Sequence, residues 1–299
     1  MKVSAPTLVE SPLVEKNAFT IFSELVKLRL TALVLLTTFV GFYVGLRGPM
    51  DYALMFNALL GTALVASGAS ALNQLLEREH DAKMTRTADR PLPSGRMQPD
   101  TVLALGVGAS ALGLIYLAMS VNLLTSVLGA ATLLSYLFVY TPLKRLTTLN
   151  TAIGAIPGAL PPLMGWVAAR GEVTAAGWSL FAILFFWQLP HFLAIAWLYR
   201  EDYAKAGFVM LPVVDPDGQR TGRQAVSHTL GLLPVSLSPF LLGISGVAYL
   251  VGALALGMMF LWCAIRFART LGRPQARQLF FASIIYLPAL LGLLVWDKK

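Results

Sequence analysis

Nine apolar stretches recur along this chain, at about 30–47, 53–76, 101–119, 122–140, 150–169, 178–198, 227–245, 247–266 and 278–296. Each approaches the about 20 residues that an α-helix needs to cross the hydrocarbon layer of a bilayer. The pattern predicts an all-α, polytopic membrane protein whose spans are joined by short polar connections. Ahead of the first stretch, residues 1–22 read as a loosely ordered tail that runs into a short amphipathic entry around Phe19 to Lys27. Residues 23–299 then read as a single membrane domain. The tail carries Glu10, Glu15 and Lys16 before any long apolar run, and it does not read as a secretory signal peptide.

Composition sharpens the picture. The 299 residues are 57% hydrophobic and 13% charged, with a mean hydropathy of +0.69, values that belong to an integral membrane protein rather than a soluble globule. The net charge of +8 points to nucleic acid only if the basic residues cluster on a soluble face, and they do not. With nine spans, nineteen of the 23 basic residues fall on one side of the membrane; only Arg47, Arg170, Lys298 and Lys299 fall on the other. The positive-inside rule makes the crowded side, with the N-terminus, cytoplasmic. An eight-span arrangement scrambles this asymmetry. The single cysteine, Cys263, excludes an intrachain disulfide and a thiolate cluster.

The chemistry gathers on the crowded side. Asn73, Glu77 and Asp81 recur every four residues at the polar end of the second stretch, so a helix there puts an amide oxygen and two carboxylates on one face. Hard oxygen donors of this kind suit magnesium, which takes one or two carboxylates and leaves its other positions to water and phosphate oxygens. The plainer alternative is a solvated helix end with Glu77 and Asp81 paired to Arg78 or Lys83. Arg86 and Arg90 follow, in a loop shaped by Pro91 and Pro93, and their planar forks fit phosphate oxygens. Between residues 77 and 100 five acids match five basic residues, which topology alone does not require.

A second polar segment runs from Tyr140 to Asn150. It contains Lys144 and Arg145, either a grip on diphosphate or an ordinary basic turn, and Asn150 stands at an expected helix N-cap. The following stretch holds Gly154, Pro157, Gly158, Pro161, Pro162 and Gly165; small residues let helices approach closely and prolines open space between them. A third segment carries Trp187, Gln188 and His191 inside an apolar stretch, then Tyr199, Glu201, Asp202 and Tyr203 just beyond it. A lone buried histidine is as well explained by a hydrogen bond to a neighbouring helix.

These residues resemble a known family. Asn73-x3-Glu77-x3-Asp81, Arg86-Thr87-x2-Arg90-Pro91 and the acids after the sixth stretch are similar to the motifs of the UbiA-type intramembrane prenyltransferases, in which two acidic motifs hold magnesium and an isoprenyl diphosphate. Pro142-Leu143-Lys144-Arg145, the stretch from Gly158 to Trp166, and Trp187-Gln188-x-Pro190-His191-Phe192 resemble the heme-prenylating branch of that family, and the likeness covers about residues 23 to 296. The resemblance implies a nine-helix bundle with a central cavity open to the lipid and to the cytoplasmic side. It also implies transfer of a farnesyl group from farnesyl diphosphate to a vinyl group of heme B, giving heme O, with heme as substrate. A downstream heme A synthase or terminal oxidase is the implied partner.

On that reading Asn73, Glu77, Asp81 and Asp202 hold magnesium, Asp202 directly or through water. Arg86, Arg90, Lys144 and Arg145 neutralise the leaving group, and Trp187, Gln188, His191, Tyr199 and Tyr203 contact substrate. The chain departs from the pattern where the second acidic motif, commonly Asp-x3-Asp, reads Tyr199-x3-Tyr203. Two other readings share some of these features. Prenyl transfer to an aromatic quinone precursor uses the same diphosphate machinery; a transporter would carry its polar residues near the midplane, not at one mouth.

Overall fold

The computed structural model describes residues 16–299, so most of the expected tail lies outside the described residues. The chain forms α1 (Ala18–Leu25), α2 (Leu28–Gly45), α3 (Tyr52–Asp81), α4 (Pro99–Ser120), α5 (Leu123–Leu134), α6 (Thr141–Leu143), α7 (Asn150–Arg170), α8 (Ala175–Leu198), α9 (Arg200–Lys205), α10 (Leu211–Val214), α11 (Gln219–Leu241), α12 (Val247–Thr270) and α13 (Arg273–Trp296). Between α5 and α6, Ser135–Tyr140 continue the same rod as a wider π-helical turn. No strand occurs among the described residues; one isolated bridge joins Ser245 to Lys298.

Eight of these rods are long and apolar enough to cross a membrane, counting residues 123–143 as one. The chain is therefore an all-helical, multi-pass membrane protein. Helix α11 is as long as its neighbours but opens on Gln219, Arg220, Thr221, Gly222, Arg223 and Gln224, so only its later turns match the seventh apolar stretch.

Local chemistry sets the ends of the rods. Asp51 accepts from Leu54 N at 2.9 Å to cap α3, and Asn122 accepts from Thr125 N at 2.8 Å to cap α5. Gly171, at φ +74°, takes the left-handed turn that stops α7. Asn150 is not the cap of α7 but its first residue. Its buried amide donates to Thr147 O and Val209 O, tying the helix start to the loop after α9.

Helix α7 is the axis of the bundle, with Leu163 and Trp166 fully enclosed. It packs on α2 through paired glycines. A Cβ on Gly41 would lie 1.9 Å from Pro162 O, and one on Gly165 would lie 1.9 Å from Thr38 O. In lipid, where apolar side chains gain little by leaving their surroundings, such close backbone contact is a main source of helix association. Helix α3, at 30 residues, is about 45 Å long. That exceeds the hydrocarbon thickness, so its polar end from Asn73 to Asp81 lies at the membrane edge.

Candidate active site

Asn73, Glu77 and Asp81 do line one face of α3, and all three are buried. Each is matched to a cation. Lys27 Nζ donates to Asn73 Oδ1 at 2.7 Å, Lys144 Nζ donates to Glu77 Oε2 at 3.0 Å, and Arg90 Nη1 donates to Asp81 Oδ2 at 2.7 Å. The partners are therefore not Arg78 or Lys83, the local pairs that the sequence offers. Asn73 Nδ2 bridges Glu77 Oε2 at 3.0 Å and Thr141 Oγ1 at 3.1 Å, which fixes its oxygen toward Lys27.

Lys144 also lies 2.8 Å from Glu77 Oε1, but only its contact with Oε2 has hydrogen-bonding angles. Among the described residues Oε1 is buried and without a hydrogen bond. Burial disfavours the charge on Lys144, yet the oxygens of Tyr140 and Glu77 outweigh it and hold the ammonium above the ordinary lysine range. Among the described residues Lys27 has no such partner carboxylate; burial, then the cations of Arg90 and Lys144, push it down to about 7.

The wide turn at 135–140 supplies the opposite wall. Thr141 N and Oγ1 both bond Tyr136 O, five residues back, and the turn stacks Tyr136 on Tyr140 with centroids 5.7 Å apart. Tyr140 in turn underlies Lys144 Nζ at 4.6 Å, and Tyr136 Oη reaches to 3.4 Å from Lys27 Nζ. Wide turns of this kind recur at functional sites.

The segment after α8 closes the third side. Arg86 lies over the rings of both Tyr199 and Tyr203, at 5.2 and 5.4 Å, and donates to Tyr203 Oη at 3.0 Å. The two tyrosines that replace the second acidic motif thus serve an arginine. Asp202 accepts from Thr85 Oγ1 at 3.4 Å. Among the described residues no three His, Cys, Asp or Glu side chains form one cage, so Asp202 stands apart from Glu77 and Asp81. Arg145 reaches His80 Nε2 at 3.2 Å while His80 Nδ1 meets Ala206 O at 2.9 Å. Val209 N also donates to Lys144 O at 2.7 Å, so the loop after α9 braces both basic residues.

Trp187, Gln188 and His191 form a separate group on α8. Gln188 is buried and donates to Ala155 O at 2.8 Å, in space that Gly158 leaves open. Trp187 Nε1 donates to Ser283 O at 2.8 Å, and His191 Nδ1 lies 2.6 Å from Ser283 Oγ on α13. Sequence reading missed Lys27, Tyr136 and Ser283 in these roles. Lys27 counted only toward topology, and nothing in the spacing marks a serine 92 residues away as the partner of His191.

The inner site holds two carboxylates against Lys144 and Arg90, with the partly charged Lys27 beside them and Arg86 and Arg145 at its rim. Such an excess of cations at a membrane edge binds a polyanion.

Comparison with known proteins agrees with that chemistry. A protein of Solibacter usitatus named protoheme IX farnesyltransferase is 51% identical over 286 residues, covering 93% of this chain and 98% of its own length. One of the same name from Koribacter versatilis is 44% identical over 287 residues, covering 93% of each. Among solved structures, one described for digeranylgeranylglyceryl phosphate synthase superposes with a TM-score of 0.79 at 16% identity, over 93% of this chain and 98% of that one. A UbiA homologue from Archaeoglobus fulgidus bound to GPP and Mg2+ superposes at 0.64 and 15% identity, over 92% and 99%. At those identities the superpositions speak for the fold. The sequence pattern of the UbiA prenyltransferase family matches residues 34–285, and the chain belongs to that family: it is a membrane-embedded prenyltransferase.

Proposed function

We propose that this enzyme transfers a farnesyl group from farnesyl diphosphate to a vinyl group of heme B, forming heme O and diphosphate. The observation that carries the reading is the name borne by relatives 44 to 51% identical over nearly their whole length, joined to a buried face of Asn73, Glu77 and Asp81 encircled by cations. The residues fit magnesium. All three offer hard oxygen donors, and Glu77 Oε1 is a buried acceptor without a hydrogen bond. Asn73, Glu77 and Asp81 would hold the ion, with Asp202 reaching it through water; bound there, it supplies Lewis-acid neutralisation of the diphosphate oxygens.

The chain's own residues account for the rest. Lys144, Arg145, Arg86 and Arg90 bind the diphosphate and offset the negative charge that grows on it as the carbon–oxygen bond to the farnesyl group breaks. The stacked Tyr136 and Tyr140 rings present π faces beside the place where the allylic cation forms. Enclosure by apolar helices keeps water out until the vinyl carbon bonds to the farnesyl carbon. The positive charge then sits on the carbon next to the macrocycle, where water adds a hydroxyl and loses a proton.

The membrane domain, 23–299, is a single unit of nine spans around a cavity open to the lipid and the cytoplasm. The N-terminus is cytoplasmic, in a bacterial inner membrane, as the charge asymmetry supports. A heme A synthase or terminal oxidase receives the product. The test is incubation of purified protein with heme B, farnesyl diphosphate and magnesium, followed by mass analysis of the porphyrin. Heme O from wild type and none from Asp81→Asn is the expected result. Unmodified heme, with prenylation of a phenolic acid instead, overturns it in favour of the quinone branch.

A further inference from the structure

His191 sits in α8 seven residues before its Leu198 end, about 10 Å into the bundle from the site edge. Two aromatic rings stack against its imidazole. Trp187 lies at 5.1 Å and 21°, and Phe280 at 5.1 Å and 27°. Two stacked neighbours leave the imidazole little freedom except in its own plane.

The hydrogen bonds around Ser283 settle which ring nitrogen carries the proton. Ser283 has one hydroxyl hydrogen, and its Oγ lies 2.5 Å from Phe280 O, a carbonyl that can only accept. With that hydrogen committed, the 2.6 Å contact between Ser283 Oγ and His191 Nδ1 requires the proton on Nδ1. Nε2 then carries a lone pair. Among the described residues Nε2 makes no hydrogen bond, and it is not one of the buried polar atoms sealed without a partner. It is a free, oriented nitrogen donor in an apolar setting.

A carboxylate cannot use such an atom, because two lone pairs would face each other. A metal centre can. A neutral imidazole whose other nitrogen donates to an oxygen is the usual form of a metal-bound histidine, the second partner fixing tautomer and ring plane. We infer that His191 Nε2 is an axial ligand to the iron of the porphyrin substrate, and that Ser283 is the residue that positions it. The inference rests on the heme reading above and decides between the iron and the propionates as the contact. The other histidines do not compete on these terms. Both nitrogens of His80 are engaged, and among the described residues His228 has no stacked or hydrogen-bonded neighbour that orients it.

The experiment uses the full chain in lipid nanodiscs, titrated separately with ferric protoporphyrin IX and with metal-free protoporphyrin IX. Optical and electron paramagnetic resonance spectra report the ligand. Wild type is expected to prefer the iron form by about tenfold or more and to show nitrogen ligation. His191→Ala keeps its uptake of the metal-free porphyrin, which shows an intact fold, and loses both the preference and the signature; added imidazole restores the signature. His191→Met replaces an imidazole spectrum by a thioether one. Ser283→Ala weakens the iron preference about tenfold, Ser283→Thr retains it, and His228→Ala changes nothing. Persistence of the nitrogen signature in both His191 variants overturns the inference. So does a wild type that makes heme O without preferring iron, which leaves the farnesyl transfer standing. A wild type that takes up neither porphyrin overturns the heme reading itself.

Discussion

Lys27 and Asn73 are joined by a 2.7 Å hydrogen bond across 46 residues of sequence, and Lys27 makes it from a left-handed backbone at φ 48° and ψ 54°. A side chain at positive φ costs on the order of 1 kcal/mol relative to glycine. Here the kink that separates α1 from α2 also turns the ammonium into the site.

Lys27→Met is therefore expected to lower kcat/KM for the prenyl donor by about 10- to 100-fold, the scale of one charge-assisted hydrogen bond of roughly 1.5–3 kcal/mol. Lys27→Gly relieves the backbone and still removes the charge. It should melt no lower than wild type and be as inactive as the methionine variant. Wild-type turnover in Lys27→Gly would mean that the residue serves only to bend the chain.

Glu77 and Lys144 are a buried pair, 6% and 12% exposed. Removing one partner leaves an uncompensated charge, a cost of about 3–5 kcal/mol. Glu77→Gln and Lys144→Met should each depress the melting temperature strongly, and the double variant by less than their sum. Strict additivity in thermal unfolding would show that the two do not interact.

Gly41→Ala and Gly165→Ala each force a methyl onto backbone at the crossing of α2 and α7. Overpacking of this kind costs about 1–3 kcal/mol. A lowered melting temperature in detergent is expected for both, and for neither at Gly108, where an added Cβ meets open space.

Asp215 closes the turn into α11, accepting from Thr221 N at 2.7 Å and Thr221 Oγ1 at 2.8 Å. Burial opposes its charge, but these bonds outweigh it and hold the carboxyl below the usual range. The stabilisation is complete above the unfolded value of about 3.9 and is lost as pH falls through the lower folded value. Asp215→Ala should melt below wild type at pH 7, with the gap closing only under strong acid. A gap that closes near pH 6 would point to another group.

The carboxylate face of α3 was legible because a four-residue recurrence survives any detail of packing. The basic residues that meet it were legible as types but not as pairs. Lys144 lies 67 residues from Glu77, and only the bundle brings them together. Arg86, read as a phosphate ligand, and Tyr199 and Tyr203, read as substrate contacts, also bind one another, a pairing that no spacing in the sequence marks, because flat guanidinium and aromatic faces match wherever they meet. The break at Lys27 was legible as the end of the amphipathic entry but not as a left-handed turn, since Val26-Lys27-Leu28 has neither glycine nor proline. The seventh stretch was found only in its apolar half because hydropathy does not register the polar first turns of α11.

The wide turn at Ser135–Tyr140 amounts to one residue more than an ordinary helix would place there. Each residue of an α-helix advances the direction of its side chain by about 100°. The widened turn takes up the step of its extra residue. Were it to close into regular helix at unchanged length, everything downstream up to Thr147 would rotate by that angle, and Lys144 would face away from Glu77 though no residue of the site itself had changed. The shape of this stretch, rather than the identity of its residues, is what the site needs.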